Sequence, residues 1–321
     1  MALLVCLAAF GCRTRMASEA RPLTKQELRG LFARAQDPRR SWITVHRADS
    51  GLTFTGQNRM HKSQLAGLRF ESREHPEAPV IYIRTSRKRK FTALFDTTSA
   101  RSWLTPDAFA AMNGAPLGPP AYRLPARHIA EEEVGYAGVV NKVLFDKLNM
   151  DNALFCAWDK AGPMGPLARG IRQPRIDCVI GLDMIQSFHH VQIDYPLRTV
   201  YLSAGSGYAP DENLLVASVP YHEIAGALAV HGKINGEPAT ILVDTAGDFV
   251  FAADEEAFTT IRQLDIGNLV FRNVEADDPE DYDVGLRRYP RIGRKLLQRF
   301  RVTIDSEAKI IHFEKPDLVK R

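Results

Sequence analysis

The chain contains an internal repeat, because four short segments recur in the same order in its two halves. The segments of the first copy, followed by those of the second, are 91–100, 148–155, 179–185 and 191–194, then 240–248, 264–271, 291–297 and 302–305. Each copy begins with apolar residues that run into Asp-Thr, at Asp96-Thr97 and at Asp244-Thr245. Each continues with an Ile-Gly, at Gly181 or Gly293, and ends with an Ile-Asp. Such a duplication predicts two similar lobes with one Asp-Thr turn each.

Short apolar runs separated by turn residues occupy most of the chain after residue 78. Many short strands of this kind favour a sandwich or barrel over alternating strands and helices. Asn235-Gly236 predicts a tight hairpin, since both central residues of that turn need positive φ. The distance from Asp96 to Gly181 exceeds that from Asp244 to Gly293, so the first copy carries an insertion, which we place in residues 112–140.

This order of motifs resembles the aspartic proteases of the retropepsin and pepsin clan, over roughly residues 78–315. In that family an apolar strand enters a tight Asp-Thr-Gly turn, and a later apolar-Gly strand passes beside the turn. The resemblance implies a mainly β, bilobal aspartic-protease fold, a double acid-protease β-barrel with short helices and an N-terminal extension. It also implies a monomer, because two fused copies replace the homodimer of the viral members.

The predicted organisation has four parts. They are a leader with a lipoprotein-type signal at residues 1–20, an N-terminal extension at 21–77, a first lobe at 78–208 and a second lobe at 209–321. Within the extension, Thr24-Lys-Gln-Glu27 has the pattern of a capping box and predicts a short helix that ends near Ala35. We assign the extension no chemistry.

The resemblance identifies Asp96 and Asp244 as the catalytic pair, with Thr97 and Thr245 orienting the turns by hydrogen bonds across the lobe interface. Two carboxylates a few ångströms apart cannot both ionise, so they share one proton. The ionised oxygen then serves as general base toward a water, and the protonated one as general acid toward a peptide carbonyl. This chemistry requires no cofactor, no metal and no covalent intermediate.

Two residues depart from the family pattern. Thr98 and Ala246 stand where Gly follows Asp-Thr in the family, and Gly247 comes one position later. Gly allows close approach and unusual dihedrals, so side chains here predict crowding of the water or substrate. Two hypotheses follow: an aspartic endopeptidase, or a catalytically inactive binding protein of the cell envelope with the same fold. A third is a lipid-anchored structural protein with a vestigial cleft.

Tyr136, flanked by Gly135 and by Ala137-Gly138, is predicted to lie on a flap over the cleft, since family members have a mobile hairpin there. The alternative is an exposed loop tyrosine. The expected substrate is an extended peptide or protein segment, because sheet-rich grooves bind strands through main-chain hydrogen bonds.

The first twelve residues are apolar and end in Gly11-Cys12, which resembles a bacterial lipoprotein cleavage site. The stretch is too short to span a bilayer but fits a secretory signal. It predicts export to the cell envelope, either to the periplasm or to a membrane through a lipidated Cys12. No Lys or Arg precedes the run, so a poor leader is the alternative. Cys156 and Cys178 either pair after export or remain buried thiols.

Several other readings lack support. The net charge is +4, and one dense basic run, at 84–90, reads as a solvated hairpin tip, so no nucleic-acid partner is expected. No metal site is expected either. His189 and His190 would point to opposite faces of a strand, so they could not bind one ion together, and the acidic run 277–283 lacks the pattern of a calcium-binding loop. Asp194 and Asp305 are typical of hairpin turns. No motif of serine hydrolases, zinc proteases or nucleotide-binding loops is present.

Overall fold

The structure is a computed structural model, and it describes residues 21–48, 51–61, 65–72, 76–86, 89–118, 122–125, 134–161, 176–253, 260–277 and 289–317. Predictions on residues 1–20, on residues 119–121 and 126–133 of the insertion and on 278–283 of the acidic run therefore lie outside the described residues. Among the described residues, none of the helices has the length and hydropathy needed to cross a bilayer.

The N-terminal extension forms small elements that lie against the first lobe. They are β1 (Arg21–Pro22), α1 (Lys25–Phe32), a 3₁₀ helix (Pro38–Ser41), β2 (Thr44–Ala48), β3 (Gly51–Thr55), β4 (Arg59–Met60) and β5 (Leu65–Arg69). The capping box is confirmed: the Thr24 hydroxyl accepts from the Glu27 N–H, and the Glu27 carboxylate accepts from the Thr24 N–H. Helix α1 ends at Phe32, three residues before the predicted end.

The first lobe contains a six-stranded barrel. The elements of this part of the chain are β6 (Val80–Arg84), β7 (Lys90–Phe95), β8 (Trp103–Leu104), α2 (Pro106–Ala111), β9 (Ala115–Pro116), β10 (Arg123–Pro125), β11 (Val134–Phe145), β12 (Leu148–Trp158), β13 (Lys160–Ala161), β14 (Cys178–Ile180), α3 (Leu182–Ile185), β15 (His190–Asp194) and β16 (Thr199–Ser203). The barrel closes in the order β6–β7–β14–β8–β12–β11, because β11 pairs with both β12 and β6.

The second lobe repeats this barrel. Its elements are β17 (Leu215–Ile224), β18 (Ala227–Ile234), β19 (Glu237–Val243), β20 (Phe251–Ala252), β21 (Thr260–Ile266), β22 (Leu269–Asp277), β23 (Arg291–Ile292), α4 (Arg294–Leu297), β24 (Arg301–Asp305) and β25 (Ile310–Glu314). The closing order is β18–β19–β23–β20–β22–β21. Strands in equivalent positions pair in the same sense, parallel for β7 with β14 and for β19 with β23.

A six-stranded sheet joins the lobes, in the order β17–β25–β24–β15–β16–β5. Its centre is the antiparallel pair β15–β24, in which Gln192 lies opposite Thr303. Strand β5 of the extension and β17 of the second lobe occupy the two ends. The sheet is therefore symmetric about the β15–β24 boundary, and the extension supplies a strand for which the sequence assigned no role.

The prediction of a mainly β protein with two lobes is confirmed, with 53% strand, 11% helix and two six-stranded barrels. The hairpin at Asn235-Gly236 is also confirmed, since both residues have positive φ, 52° and 92°. So is the hairpin tip between β6 and β7, where Arg84 lies opposite Lys90.

Cys156 and Cys178 are buried free thiols. They belong to different apolar clusters, Cys178 to the large one inside the barrel and Cys156 to the cluster on the outer face that the extension covers. Thiols on opposite faces of one barrel wall cannot reach disulfide geometry. Burial raises the pKa of both thiols well above the usual value.

The Ile-Gly motifs allow the two lobes' strands to approach the neighbouring turns. A Cβ on Gly181 would lie 2.4 Å from the carbonyl oxygen of Arg101, and one on Gly293 would lie 2.3 Å from that of Phe249. Both obstacles are backbone atoms, which cannot move aside as a flexible side chain can. Glycine is therefore required at the same place in each copy.

Replacing Gly181 with alanine is expected to lower the free energy of unfolding by about 3 kcal/mol, the range found for overpacking. Gly30 in α1 is the matched control, since a Cβ there meets nothing within 4 Å. Gly30→Ala is expected to stabilise the protein by up to about 1 kcal/mol through helix propensity. Urea unfolding measures both, and similar effects of the two substitutions would contradict the close-approach role.

Candidate active site

In each lobe, the Asp-Thr turn comes directly after a strand that pairs with the strand of the Ile-Gly motif. Strand β7 ends at Phe95, immediately before Asp96, and β19 ends at Val243, immediately before Asp244. The Asp96 N–H donates to the Ile180 carbonyl at 3.0 Å, and the Asp244 N–H donates to the Ile292 carbonyl at 2.9 Å. The two turns are thus anchored by the same bond in each lobe.

Thr97 and Thr245 link the two turns across the lobe interface. The Thr97 hydroxyl donates to the Val243 carbonyl and accepts from the Thr245 N–H at 3.2 Å. Reciprocally, the Thr245 hydroxyl donates to the Phe95 carbonyl at 2.9 Å and accepts from the Thr97 N–H at 3.2 Å. Both threonines are fully buried. Because four bonds join residues adjacent to the aspartates, they bring Asp96 and Asp244 to a common place.

Replacing Thr97 with valine is expected to cost about 2 kcal/mol of unfolding free energy. Valine keeps the shape but removes two buried hydrogen bonds, each worth about 1 kcal/mol or more when a partner stays buried. Thr97→Ser keeps the hydroxyl and is expected to stay close to the parent protein. Urea titration of both variants tests this, and a valine variant as stable as the serine variant would contradict it.

The Asp96 carboxylate is fully buried and has an asymmetric environment. Its Oδ1 accepts from the Thr98 N–H at 2.8 Å, the Thr98 hydroxyl at 2.7 Å and the Ser99 N–H at 3.2 Å. Its Oδ2 has no hydrogen-bond partner among the described residues. Burial, followed by repulsion from the Asp244 charge, raises the pKa of Asp96 to about 7, although the Thr98 and Ser99 donors oppose the rise.

Asp244 is 4% exposed and receives fewer donors. Its Oδ1 accepts from the N–H groups of Ala246 at 3.0 Å and Gly247 at 2.7 Å. Burial raises the pKa of Asp244, and the Arg291 guanidinium is the largest influence that opposes this rise. The two carboxyls therefore differ in donors and in nearby charge, although the backbone around them is repeated.

The raised pKa of Asp96 predicts a pH-dependent stability. The native carboxyl keeps its proton up to about pH 7, whereas the unfolded carboxyl loses it near its ordinary value of 3.8. Stabilisation is complete below that value and is lost as pH rises toward 7, because the native state binds more protons in this window. Burial also raises the pKa of Asp183, to about 6, which adds in the same direction.

Asp96→Asn is therefore expected to flatten the decline of unfolding free energy between pH 4 and pH 7. Urea unfolding at a series of pH values measures the slope. Asp146, an exposed turn residue with positive φ that asparagine also adopts, provides the control substitution. A slope in Asp96→Asn as steep as in Asp146→Asn would contradict the assignment.

Thr98 and Ala246 take the place of the expected glycines without backbone strain. Neither residue has a positive φ. The Thr98 hydroxyl is turned onto Asp96, and Ala246 packs in an apolar cluster with Trp103, Leu124 and Phe54. The backbone dihedrals at these two positions therefore do not require glycine. The crowding predicted from the sequence could arise only from the volume of the two side chains.

Tyr136 lies on β11 near the base of a hairpin with β10. Arg123 is its partner across the pair, and residues 126–133, which connect the two strands, lie outside the described residues. The half-buried ring packs edge-to-face on Phe32 of α1 at 4.8 Å, and the Arg123 guanidinium lies 5.8 Å from its centre. Tyr136 is thus a strand residue held by the extension, not an exposed loop tyrosine.

The sequence reasoning missed a buried ion network beside the second turn. Arg294 is fully buried, and its Nη2 lies 2.7 Å from Asp248 Oδ1 and 3.2 Å from Glu77 Oε1. Asp248 follows the second turn, and Glu77 precedes the first barrel, so the guanidinium joins the lobes. The available signal was the charged residue directly after Ile292-Gly293, where the first copy has Leu182 after Ile180-Gly181.

Residues predicted to have structural roles lie where expected. Asp194 accepts from the Leu197 N–H and Asp305 from the N–H groups of Glu307 and Ala308, as turn aspartates do. The neighbouring histidines differ in burial: His190 is buried, whereas the ring of His189 lies 3.1 Å from the exposed Glu307 carboxylate. Within the described ranges no group of three or more His, Cys, Asp or Glu side chains has the arrangement of a metal site.

Comparison with models of protein families and with curated proteins finds no match to this chain. The two turns and their surroundings are therefore the features of the molecule from which a function can be inferred.

Proposed function

We propose that the chain is an aspartic-type endopeptidase of the retropepsin and pepsin type, with Asp96 and Asp244 as its catalytic pair. The observation that carries the proposal is the reciprocal set of bonds between Thr97 and Thr245. This set fixes two acidic turns against each other in a protein whose two barrels have the same strand order. A turn aspartate with a purely local role would not require such a link.

The proposed chemistry uses one proton shared by two carboxyls. The ionised carboxylate removes a proton from water, whose oxygen attacks the peptide carbonyl carbon. The protonated carboxyl donates to the carbonyl oxygen, which gives a neutral tetrahedral intermediate. Return of a proton to the amide nitrogen then allows the C–N bond to break. The raised pKa of Asp96 suits it to hold the shared proton at mildly acidic to neutral pH.

The proposed substrate is an extended peptide or protein segment. Hairpin β10–β11 of the first lobe supports this choice, since Leu124 of β10 packs in the same cluster as Ala246 of the second turn. A hairpin so placed offers main-chain groups to a strand-like ligand. Tyr136, at its base, would then affect how the hairpin is held rather than the reaction itself.

The second candidate is a catalytically inactive binding protein of the same fold. The observation that favours it is the complete burial of Asp96 together with the packing of Ala246 in an apolar cluster. A carboxyl that substrate and water cannot reach would stabilise the turn without taking part in hydrolysis.

A peptide-library assay of the purified full chain from pH 4 to pH 8 separates the two candidates. Cleavage products identified by mass spectrometry support the endopeptidase. Binding of library peptides without cleavage, by protein whose circular dichroism shows a folded β structure, supports the binding protein and removes the endopeptidase proposal.

We also propose that the chain is exported, works in the cell envelope and acts as a monomer. The monomer follows from two acidic turns on one chain, and the envelope location follows from the apolar run that ends at Cys12. Metabolic labelling with palmitate tests the anchor, since label should be lost in Cys12→Ser. Sedimentation of the purified protein as a dimer would overturn the monomer.

A further inference from the structure

The internal repeat places different residues at one position beside the two aspartates. Val179 on β14 pairs with Leu94, and Arg291 on β23 pairs with Leu242, so both residues lie at the same place relative to the Asp strand. Each is followed by the isoleucine whose carbonyl accepts from the Asp N–H. At this equivalent position the first lobe therefore has an apolar residue, Val179, and the second lobe has a guanidinium, that of Arg291.

Arg291 is 1% exposed, which is unusual for an arginine. Its neighbour Ile292 packs in the large core cluster, and adjacent strand residues point to opposite faces. Arg291 therefore points away from the barrel core. Its register partner Leu242 packs with Ala227 and Ala229 on β18, whose next residue, Leu228, donates its N–H to the Thr97 carbonyl at 2.9 Å. Strand β18 therefore touches the first turn, and Arg291 lies on the outer face of the same barrel.

Among the described residues, the charged or titratable groups that act on Asp244 include Asp96 of the first turn, Arg291 of β23 and Arg294 of α4. The neutral Tyr195 hydroxyl lies nearby and donates to the Thr245 carbonyl at 3.4 Å. Nη2 of Arg294 lies 2.7 Å from Asp248 and 3.2 Å from Glu77. Of the two cations, Arg291 has the larger effect on Asp244. An opposite charge close to a buried carboxyl favours its ionised form.

The surroundings of Asp96 favour the opposite state. Val179 brings no charge to the equivalent position, and Oδ2 of Asp96 has no partner among the described residues. A buried, unpaired carboxylate oxygen is costly unless it carries a proton. The donors from Thr98 and Ser99 favour ionisation of Asp96, but burial and the Asp244 charge outweigh them, so the shared proton is expected on Asp96.

We infer that Arg291 is a positioning residue that holds Asp244 as the ionised carboxylate of the pair and thereby leaves the shared proton on Asp96. The catalytic meaning of this inference rests on the proposed function. Asp244 would then take the proton from the attacking water, and Asp96 would give its proton to the carbonyl oxygen. The order of ionisation itself is a property of the folded protein and does not depend on hydrolysis.

Carbon-13 NMR of the full chain, labelled at the aspartate carboxyl carbons, measures this order directly. Spectra of Asp96→Asn and Asp244→Asn assign the two signals. In the parent protein the Asp244 signal is expected to titrate first as pH rises, and the Asp96 signal near pH 7. An Asp96 signal that titrates first overturns the inference without any further variant.

Arg291→Met and Arg291→Lys separate the charge from the packing. The methionine variant is expected to move the Asp244 titration to higher pH and to lower kcat/KM on the acidic limb by about tenfold. The lysine variant keeps the charge and is expected to restore the parent order. Arg301→Met is the matched control, because it removes a guanidinium that pairs with a buried carboxylate, Asp194 at 3.0 Å, in the sheet between the lobes.

A methionine variant with unchanged titrations, or a lysine variant that behaves like it, overturns the inference. If the methionine variant does not fold, the inference is tested by the order in which the Asp244 and Asp96 signals titrate in the parent protein and in the lysine variant. The outcomes also separate this inference from the proposed function. If Asp244 ionises first but the protein cleaves no peptide, only the endopeptidase proposal is wrong. If the protein cleaves peptides but Asp96 ionises first, only the role of Arg291 is wrong.

Discussion

Asp96→Asn and Asp244→Asn are each expected to lower kcat/KM for peptide hydrolysis by about 10³-fold, within the range for loss of a general acid or base. Asparagine keeps the shape and can accept the same N–H bonds, but it can neither take a proton from water nor hold the shared proton. Because the two carboxyls act as a unit, the double variant is expected to be no slower than either single one. Steady-state assays on one cleaved peptide measure all three.

Asp183→Asn is the control for this experiment. Asp183 is half-buried on α3 and accepts from the Ser102 hydroxyl at 2.8 Å, and among the described residues it makes no hydrogen bond to Asp96 or Asp244. We expect its kcat/KM to stay within a few-fold of the parent value, a range too small to be confused with loss of the dyad. Hydrolysis that persists at parent rates in both dyad variants would remove Asp96 and Asp244 from the mechanism.

Asp248→Asn is expected to lower the free energy of unfolding by about 3 kcal/mol or more. The substitution leaves the guanidinium of Arg294, which is fully buried, with Glu77 as its remaining acidic partner at 3.2 Å. Removing one partner of a buried ion pair is costly because the other charge stays desolvated. Arg294→Met should cost less, since Asp248 and Glu77 are each about a quarter to a third exposed and can regain water.

Urea unfolding of these two variants, with Glu223→Gln as a surface control, tests whether Asp248→Asn lowers the free energy of unfolding more than Arg294→Met does. Glu223 pairs with Lys309 at 3.7 Å where both side chains are about half exposed, so its loss should cost less than about 1 kcal/mol. An Asp248→Asn protein as stable as the Glu223→Gln protein would show that the network does not hold the lobes together.

The sequence predicted the elements that depend on local pattern and on the duplication. Asn235-Gly236 and the Thr24–Glu27 capping box were readable because their backbone requirements are met by few residue types. The two barrels followed from the repeat, since equal segments in equal order fold into equal strands. The Asp-Thr turns were found for the same reason, although neither is informative alone.

The sequence did not reveal what depends on contacts between distant segments. Strand β5 adds to the sheet between the lobes, but a five-residue run shows no sign of which edge it will join. Burial of Arg291 and Arg294 is decided by how the second barrel packs, and charged residues are usually expected at the surface. The state of Cys156 and Cys178 depends on which barrel face each occupies, which spacing does not specify.

The most direct test of the central claim, that the duplication brings two acidic turns to one shared site, is a high-resolution crystal structure of the chain. It should show one water within about 2.6–3.2 Å of a carboxylate oxygen of Asp96 and of Asp244, the reach of a general base. Carboxylates that share no water, or a water position filled by the side chain of Thr98 or Ala246, would contradict the account.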